Sequence, residues 1–171
     1  MKVVITGATG LVGRAVASHL STLGHRVEGF SRPSDWNPDR GFIDVRRLEG
    51  AEAVIHLAGE NIASGRWTAA RKKRILESRK KGTGLLADAL AKMEHPPKVL
   101  VSASAIGYYG DRGEAILDEQ KRSGSGFLAE VCREWEDATA PAQGRGMRVI
   151  KLRIGMVLSA DGGAQIGRAH V

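Results

Sequence analysis

Gly7-Ala8-Thr9-Gly10-Leu11-Val12-Gly13 is the stretch that decides how this chain is read. The first glycine permits a tight turn directly out of a strand. The second lets backbone approach a ligand with no Cβ in the way, and the third lets the following helix pack closely on the sheet. The flanks agree with this. Lys2–Thr6 is a short β-branched run, predicted as a strand ending at Gly7. Leu11, Val12, Ala15, Val16, Leu20 and Leu23 recur at helical spacing, and Gly24 supplies the stop. A helix starting there points unpaired N–H groups and the positive end of its dipole at a phosphate. Strand, glycine turn and helix in that order predict a dinucleotide site with Gly7, Thr9, Gly10, Leu11, Val12 and Gly13 as its contacts.

Outward from this loop, short apolar runs alternate with amphipathic stretches, the pattern of βαβ units on a parallel sheet. Strands are predicted at residues 26–30, 53–57, 99–101 and 147–152. A long helix is predicted over 68–93, with Ile75, Leu86, Ala89, Leu90 and Met93 on its apolar side and Pro96-Pro97 as its break. A second covers 127–140 and stops near Pro141. Residues 33–41 hold two prolines, two aspartates, Asn37 and Gly41, and read as a loop. The expected architecture is α/β: a Rossmann-like, doubly wound parallel sheet with helices on both faces, in one domain over residues 1–165.

The end of the second strand reports which dinucleotide is held. NAD binders place an acidic residue there for the ribose 2′-hydroxyl. This chain has Ser31-Arg32, a hydroxyl and a guanidinium that suit a 2′-phosphate, with no Asp or Glu expected at that point. NADP is therefore the predicted cofactor. Composition narrows the remaining classes. Of 171 residues, 42% are apolar and 26% charged, as in an ordinary globular domain. The net charge of +7 is concentrated in residues 66–81, read as a solvated helix face with few aromatics interleaved, so nucleic acid is not an expected partner. No apolar run nears the roughly 20 residues that span a bilayer, so no membrane partner is expected either. Cys132 is the one cysteine, which excludes an internal disulfide and a thiolate zinc site. No metal is expected, and a cytoplasmic setting is.

The combination GATGLVG, SRP, HLAGENIASGRW, ESR, SASAIGYYG, FLAEVCREWE and RIGMVLSADGGA resembles the epimerase-like family of extended short-chain dehydrogenases/reductases, over Met1 to about Ala164. Its most diagnostic pieces are residues 57–62 and Tyr108-Tyr109-Gly110. The resemblance implies that Leu57, Ala58 and Gly59 lie along the adenosine-ribose side of the cofactor, that Arg79 contacts it, and that Val157 approaches the nicotinamide. It also implies a protein about twice this length, with a substrate-binding C-terminal part that is missing here. The last six residues, 166–171, read IGRAHV, the translation of ATC GGA AGA GCA CAC GTC, part of a common sequencing adapter. They are expected to be a non-native tail, and the fragment alone is expected to be inactive.

Enzymes of that family use a Tyr, a Lys four residues later, and a Ser at the end of the preceding strand. Ser104, or Ser102 two residues before it, meets the Ser requirement. The Tyr and Lys are absent, because Phe127 and Val131 hold that spacing and so do Leu128 and Cys132. Tyr108 is the nearest candidate acid/base, with Tyr109 as a pocket-shaping neighbour. His56 and Trp135 read as core side chains. Asp111, Asp118 and Glu119 read as solvated loop carboxylates. Two functions remain open: an NADP-dependent oxidoreductase or epimerase-like enzyme acting on a small-molecule substrate, and a non-catalytic NADP-binding module for redox sensing or interaction.

Overall fold

A computed structural model describes residues 1–62, 65–159 and 162–163. The expected tail at 166–171 lies outside them. The chain folds as β1 (Lys2–Thr6), α1 (Leu11–Thr22), β2 (Arg26–Phe30), β3 (Trp36–Asn37), β4 (Phe42–Ile43), β5 (Ala53–His56), α2 (Ala69–Lys92), β6 (Val99–Ala105), α3 (Phe127–Asp137), α4 (Ala140–Gly144), β7 (Arg148–Ile154), β8 (Leu158–Ser159) and β9 (Gly162–Gly163). Five strands form one sheet in the order β2-β1-β5-β6-β7, each pair parallel. The order reverses beside β1, so the carboxyl ends of β1 and β5 flank a crevice, the place where open α/β sheets bind ligands.

Side chains alternate across each strand. Val4, Val54 and Leu100 join Leu86, Leu90, Ala142 and Met147 in the core beneath α2 and α4. Val3 and Ile5 face the other way and are equally buried, on the face that α1 covers. Helices therefore lie on both faces. The α2 helix is capped by the Thr68 hydroxyl, which accepts from the Arg71 N–H at 3.3 Å.

Three boundaries differ from the sequence expectation. Residues 33–41 are not all loop: Trp36 and Asn37 pair antiparallel with Phe42 and Ile43, and the Trp36 indole is only 2% exposed. It packs 6.3 Å from the Phe30 ring and edge-on to His56 at 5.8 Å, so burying a large aromatic overrides the breaker residues around it. The Phe127 helix ends at Asp137 and Pro141 opens α4, where its missing N–H costs nothing. Strands β6 and β7 each run to seven residues and pair along that whole length, carrying Ser102, Ser104 and Arg153 inside the ladder.

Candidate active site

The glycine loop is built by exclusion. Gly7 has φ +71, and a Cβ there would sit 2.9 Å from the Ala58 nitrogen, against the segment that follows β5. A Cβ on Gly13 would run into the Gly7 carbonyl oxygen. Gly10 is the N-cap of α1, with no side-chain cap and no acidic residue in the first turn, so the helix presents its first N–H groups bare. Thr9 is exposed at the turn, and its carbonyl accepts from Arg14 at 2.6 Å.

Two cavities meet on this loop. One, of about 430 Å³, is lined by Gly7, Thr9, Gly10, Phe30, Ser31, Arg32, Trp36, Leu57, Ala58 and Gly59. The other, of about 410 Å³, is lined by Gly7, Gly10, Leu11, Val12, Gly13, Leu57, Gly59, Arg79, Ser104, Trp135 and Val157, among others. They share Gly7, Gly10, Leu57 and Gly59. Two lobes joined at a helix N-terminus fit two mononucleotides joined by a pyrophosphate. The first lobe suits the adenosine and the second the nicotinamide half.

Residues 57–59 are held from below. The Ala58 N–H donates to the Thr6 hydroxyl at 3.3 Å, and that hydroxyl is bonded to His56 Nδ1 at 2.7 Å. His56 Nε2 reaches the Thr83 hydroxyl at 2.9 Å. Burial, with a smaller contribution from the Arg79 charge, pushes the imidazole down to about 4. It is a neutral core histidine, as the sequence indicated. Arg79 donates to the Glu60 and Ile75 carbonyls at 3.1 and 3.2 Å and stacks 4.8 Å above the Trp135 ring, against Gly59.

The second-strand terminus corrects one reading. An acidic group does stand there: Asp35 folds back, and its carboxylate accepts from the Ser31 N–H at 2.7 Å. Arg47 lies 3.6 Å from the same carboxylate and donates to the Gly29 carbonyl at 3.2 Å. The end of β2 thus carries a paired carboxylate beside the exposed Arg32.

At the other lobe the structure assembles a network that sequence reasoning missed. The Ser104 hydroxyl donates to Glu136 Oε1 at 2.7 Å. Arg153 grips that carboxylate with two bonds, at 2.9 Å to Oε1 and 3.0 Å to Oε2. It also donates to the Tyr109 hydroxyl at 2.9 Å and the Glu119 carbonyl at 3.2 Å, and lies 3.5 Å over the Tyr108 ring. Burial pushes the Glu136 carboxyl up, but the bonds from Arg153 and Ser104 and the Arg153 charge outweigh it, so it is held below the usual carboxylate range. The available signal was a carboxylate one residue after a core Trp, on a helix face shared with Cys132; Arg153 gave none, being one of three basic residues in its strand.

Other expected residues do not converge. Ser102 is buried in β6, its hydroxyl donating to the Ala103 carbonyl at 3.3 Å, and it lines neither lobe. Tyr108 lines neither lobe, and Arg153 lies over its ring. Phe127 packs edge-on to Trp67 at 5.7 Å, and Val131 is core. Among the described residues no cluster of His, Cys, Asp and Glu suits a metal, and no helix is long and apolar enough to cross a membrane.

Sequence comparison matches residues 3–168 to the NAD dependent epimerase/dehydratase family. The chain belongs to this family. An epimerase family protein of Mycobacterium leprae is 39% identical over 168 residues, covering 94% of this chain and 54% of that protein. A nucleoside-diphosphate sugar epimerase of Corynebacterium glutamicum superposes with a TM-score of 0.82 at 43% identity, over 95% of this chain and 35% of that one. Human epimerase family protein SDR39U1 (isoform 2), solved with NADPH, has a TM-score of 0.84 at 34% identity, over 96% of this chain and 57% of that one. The chain spans about half the length of the curated family members it matches. As a family member it carries the NAD(P)-binding domain of the short-chain dehydrogenase/reductase type, on a Rossmann-like sheet.

Proposed function

We propose that this chain is the NADP-binding part of a cytoplasmic oxidoreductase or epimerase-like enzyme acting on a small molecule. The observation that carries the proposal is the two-lobed cleft joined at the glycine loop, with Arg32 at its adenosine mouth and Ser104 in its nicotinamide lobe. Gly7, Thr9, Gly10, Leu11, Val12 and Gly13 hold the pyrophosphate, Ser31 and Arg32 the 2′-phosphate, and Leu57, Ala58 and Gly59 the adenosine ribose. Arg79 and Val157 border the nicotinamide lobe. When bound, NADP supplies hydride chemistry. The protein contributes position: Ser104 holds the substrate oxygen, and Trp135 and the Arg79 stem exclude water. The NADPH-bound human relative supports this choice of cofactor for the present chain.

NADPH and NADH titrations followed by fluorescence test the cofactor. NADPH should bind at least about tenfold more tightly, and Arg32→Glu should abolish the preference, since a bidentate phosphate contact is worth about 1.5–3 kcal/mol. Equal affinities unchanged by that variant would remove Arg32 from the argument. A second reading, a non-catalytic NADP-binding module, is favoured by Phe127 and Val131 at the Tyr/Lys spacing. NADPH oxidation by the complete gene product over a panel of carbonyl compounds separates the two. Activity that is lost in Ser104→Ala and kept in Tyr108→Phe supports the enzyme; no activity on any carbonyl supports the module.

A further inference from the structure

We infer that the basic N-terminal end of α2 is an electrostatic lip of the cleft: without touching the bound cofactor, it speeds the arrival of an anionic dinucleotide and favours the more highly charged one. The inference rests on reading the cleft as an NADP site, and it adds a kinetic source of cofactor preference to the contact at Arg32. Residues 60–74 hold five cations, Arg66, Arg71, Lys72, Lys73 and Arg74, against one acid, Glu60. Farther along α2 the cations are neutralised locally: Lys80 meets Glu134 at 2.7 Å and Lys81 meets Glu77 at 2.6 Å. Arg66, Lys72, Lys73 and Arg74 enter no salt bridge among the described residues. The place of these charges opposes the helix. The first turns of an α-helix carry the positive end of its dipole and favour acids, yet α2 has no acid in its first turn. A charge pattern that breaks the local rule points to a segment shaped by function. The segment is also fastened to the cleft. Trp67 Nε1 donates to the Ile62 carbonyl at 2.9 Å and Arg71 donates to the Asn61 carbonyl at 2.6 Å, and Asn61 and Ile62 both line the lobe beside Ser104. Lys72 lies 5.3 Å over the Phe127 ring, which packs edge-on to Trp67. Arg66, Lys73 and Arg74 are exposed and line neither lobe, so they act through their field and not by contact. Residues 71–74 rise about 5 Å along the helix axis, inside a Debye length of about 8–10 Å, so their potentials add at the lip. NADPH carries about four negative charges and NADH about two, because the 2′-phosphate adds up to two. A field of this sign raises the association rate of both, and of NADPH more.

The test is stopped-flow fluorescence of NADPH and NADH binding to the complete gene product at low salt, in wild type and in a triple variant, Arg66→Glu, Lys73→Glu and Arg74→Glu. The NADPH association rate should fall about tenfold and the NADH rate about threefold, with both dissociation rates within about twofold of wild type. Raising the salt to about 0.5 M should bring variant and wild type together. A control carries the same change of net charge at the far end of the molecule, as Lys92→Glu, Lys98→Glu and Arg145→Glu, three exposed cations around the C-terminal end of α2 and the loops leading into β6 and β7. Its association rates should stay within about twofold of wild type, because those positions lie beyond a Debye length from the lip. Should the charge reversal fail to fold, the neutral triple variant with Gln at residues 66, 73 and 74 decides, with about a threefold fall expected for NADPH. Association rates that do not change, a fall of equal size in the control, or an effect carried by dissociation each overturn the inference and leave the NADP reading standing. Wild-type protein that binds neither dinucleotide overturns both.

Discussion

Two parts of the cleft are held by different physics. The loop on which the lobes meet is made by backbone. Gly7 and Gly13 matter for the atoms they lack, because a Cβ on either would meet main chain. The lobe beside Ser104 rests on side chains that reach across the fold. Ser104, Glu136, Arg153 and Tyr109 are separated by 32, 17 and 44 residues along successive bonds of one network. A backbone site tolerates almost no added atom and is indifferent to distant mutation. A side-chain network tolerates nearby bulk and fails when a single remote partner is removed.

The sharpest way to break that contrast is Glu136→Ala. It leaves the Arg153 guanidinium facing a buried gap and Ser104 without its acceptor, and removing one partner of a buried pair costs about 3–5 kcal/mol. Urea unfolding at neutral pH measures it. The double variant Glu136→Met with Arg153→Met should recover most of the loss, because apolar side chains of similar volume need no partner. A loss below about 1 kcal/mol in the single variant would mean that the network is not what holds this lobe.

Gly13→Ala probes the glycine loop on which both lobes meet. The new methyl collides with the Gly7 carbonyl oxygen, so α1 must move off the turn. About 3 kcal/mol of destabilisation is expected, at the upper end for overpacking, together with loss of NADPH binding. A variant that kept both would show the loop to be more pliable than its contacts imply. Glu136→Ala, by contrast, should leave NADPH affinity within a few-fold of wild type, since its hydrogen bonds go to Ser104 on β6 and Arg153 on β7 and not to the glycine loop.

This difference also explains what could be read from the sequence. The loop, β1, β2 and α2 were legible because each is specified by neighbours along the chain: Gly7 follows a β-branched strand, Thr68 caps a periodic helix, and Pro96-Pro97 ends it. Trp36 was hidden because the prolines and aspartates around it describe a loop, while its burial depends on Phe30, His56 and Gly82 from three other elements. Glu136 and Arg153 were hidden for the same reason. A carboxylate on α3 looks like one more solvated charge until a guanidinium 17 residues later is found on the neighbouring strand. Asp35 was missed because its return to Ser31 is a turn geometry and not a spacing.

Beneath both lobes lies His56, and pH reads it. Its folded value of about 4 lies below the 6.5 of an exposed imidazole, so the unfolded chain binds the extra proton first as pH falls. Stability from this group is complete above pH 6.5 and is lost as pH drops toward 4, by about 3 kcal/mol in all. Urea midpoints across that window should fall for the wild type, and the slope should flatten in His56→Gln. Glu136 adds its own loss from the foot of this window downward, because its carboxyl is held under the usual carboxylate range and its contribution fades as pH falls below the unfolded value of 4.5. A wild-type profile that is flat between these values would place His56 in contact with water.

The smallest expected effect tests how the end of β2 chooses its cofactor. Asp35 has two oxygens with different duties: one accepts from the Ser31 N–H at 2.7 Å and the other faces Arg47 at 3.6 Å. The first shapes the turn that presents Ser31 and Arg32. The second keeps a negative charge near the place proposed for a 2′-phosphate, muted by Arg47. Asp35→Asn retains an oxygen that can hold the Ser31 N–H and removes the charge. NADPH should then bind about two- to fivefold more tightly relative to NADH, an effect of about 0.4–1 kcal/mol, as expected for one partly screened charge. The gain should shrink as salt is raised, because the interaction crosses solvent. Asp35→Ala removes both duties and should weaken both cofactors by loosening the turn. If Asn and Ala behave alike, Asp35 acts through the turn alone, and discrimination at this mouth belongs to Arg32 and Arg47.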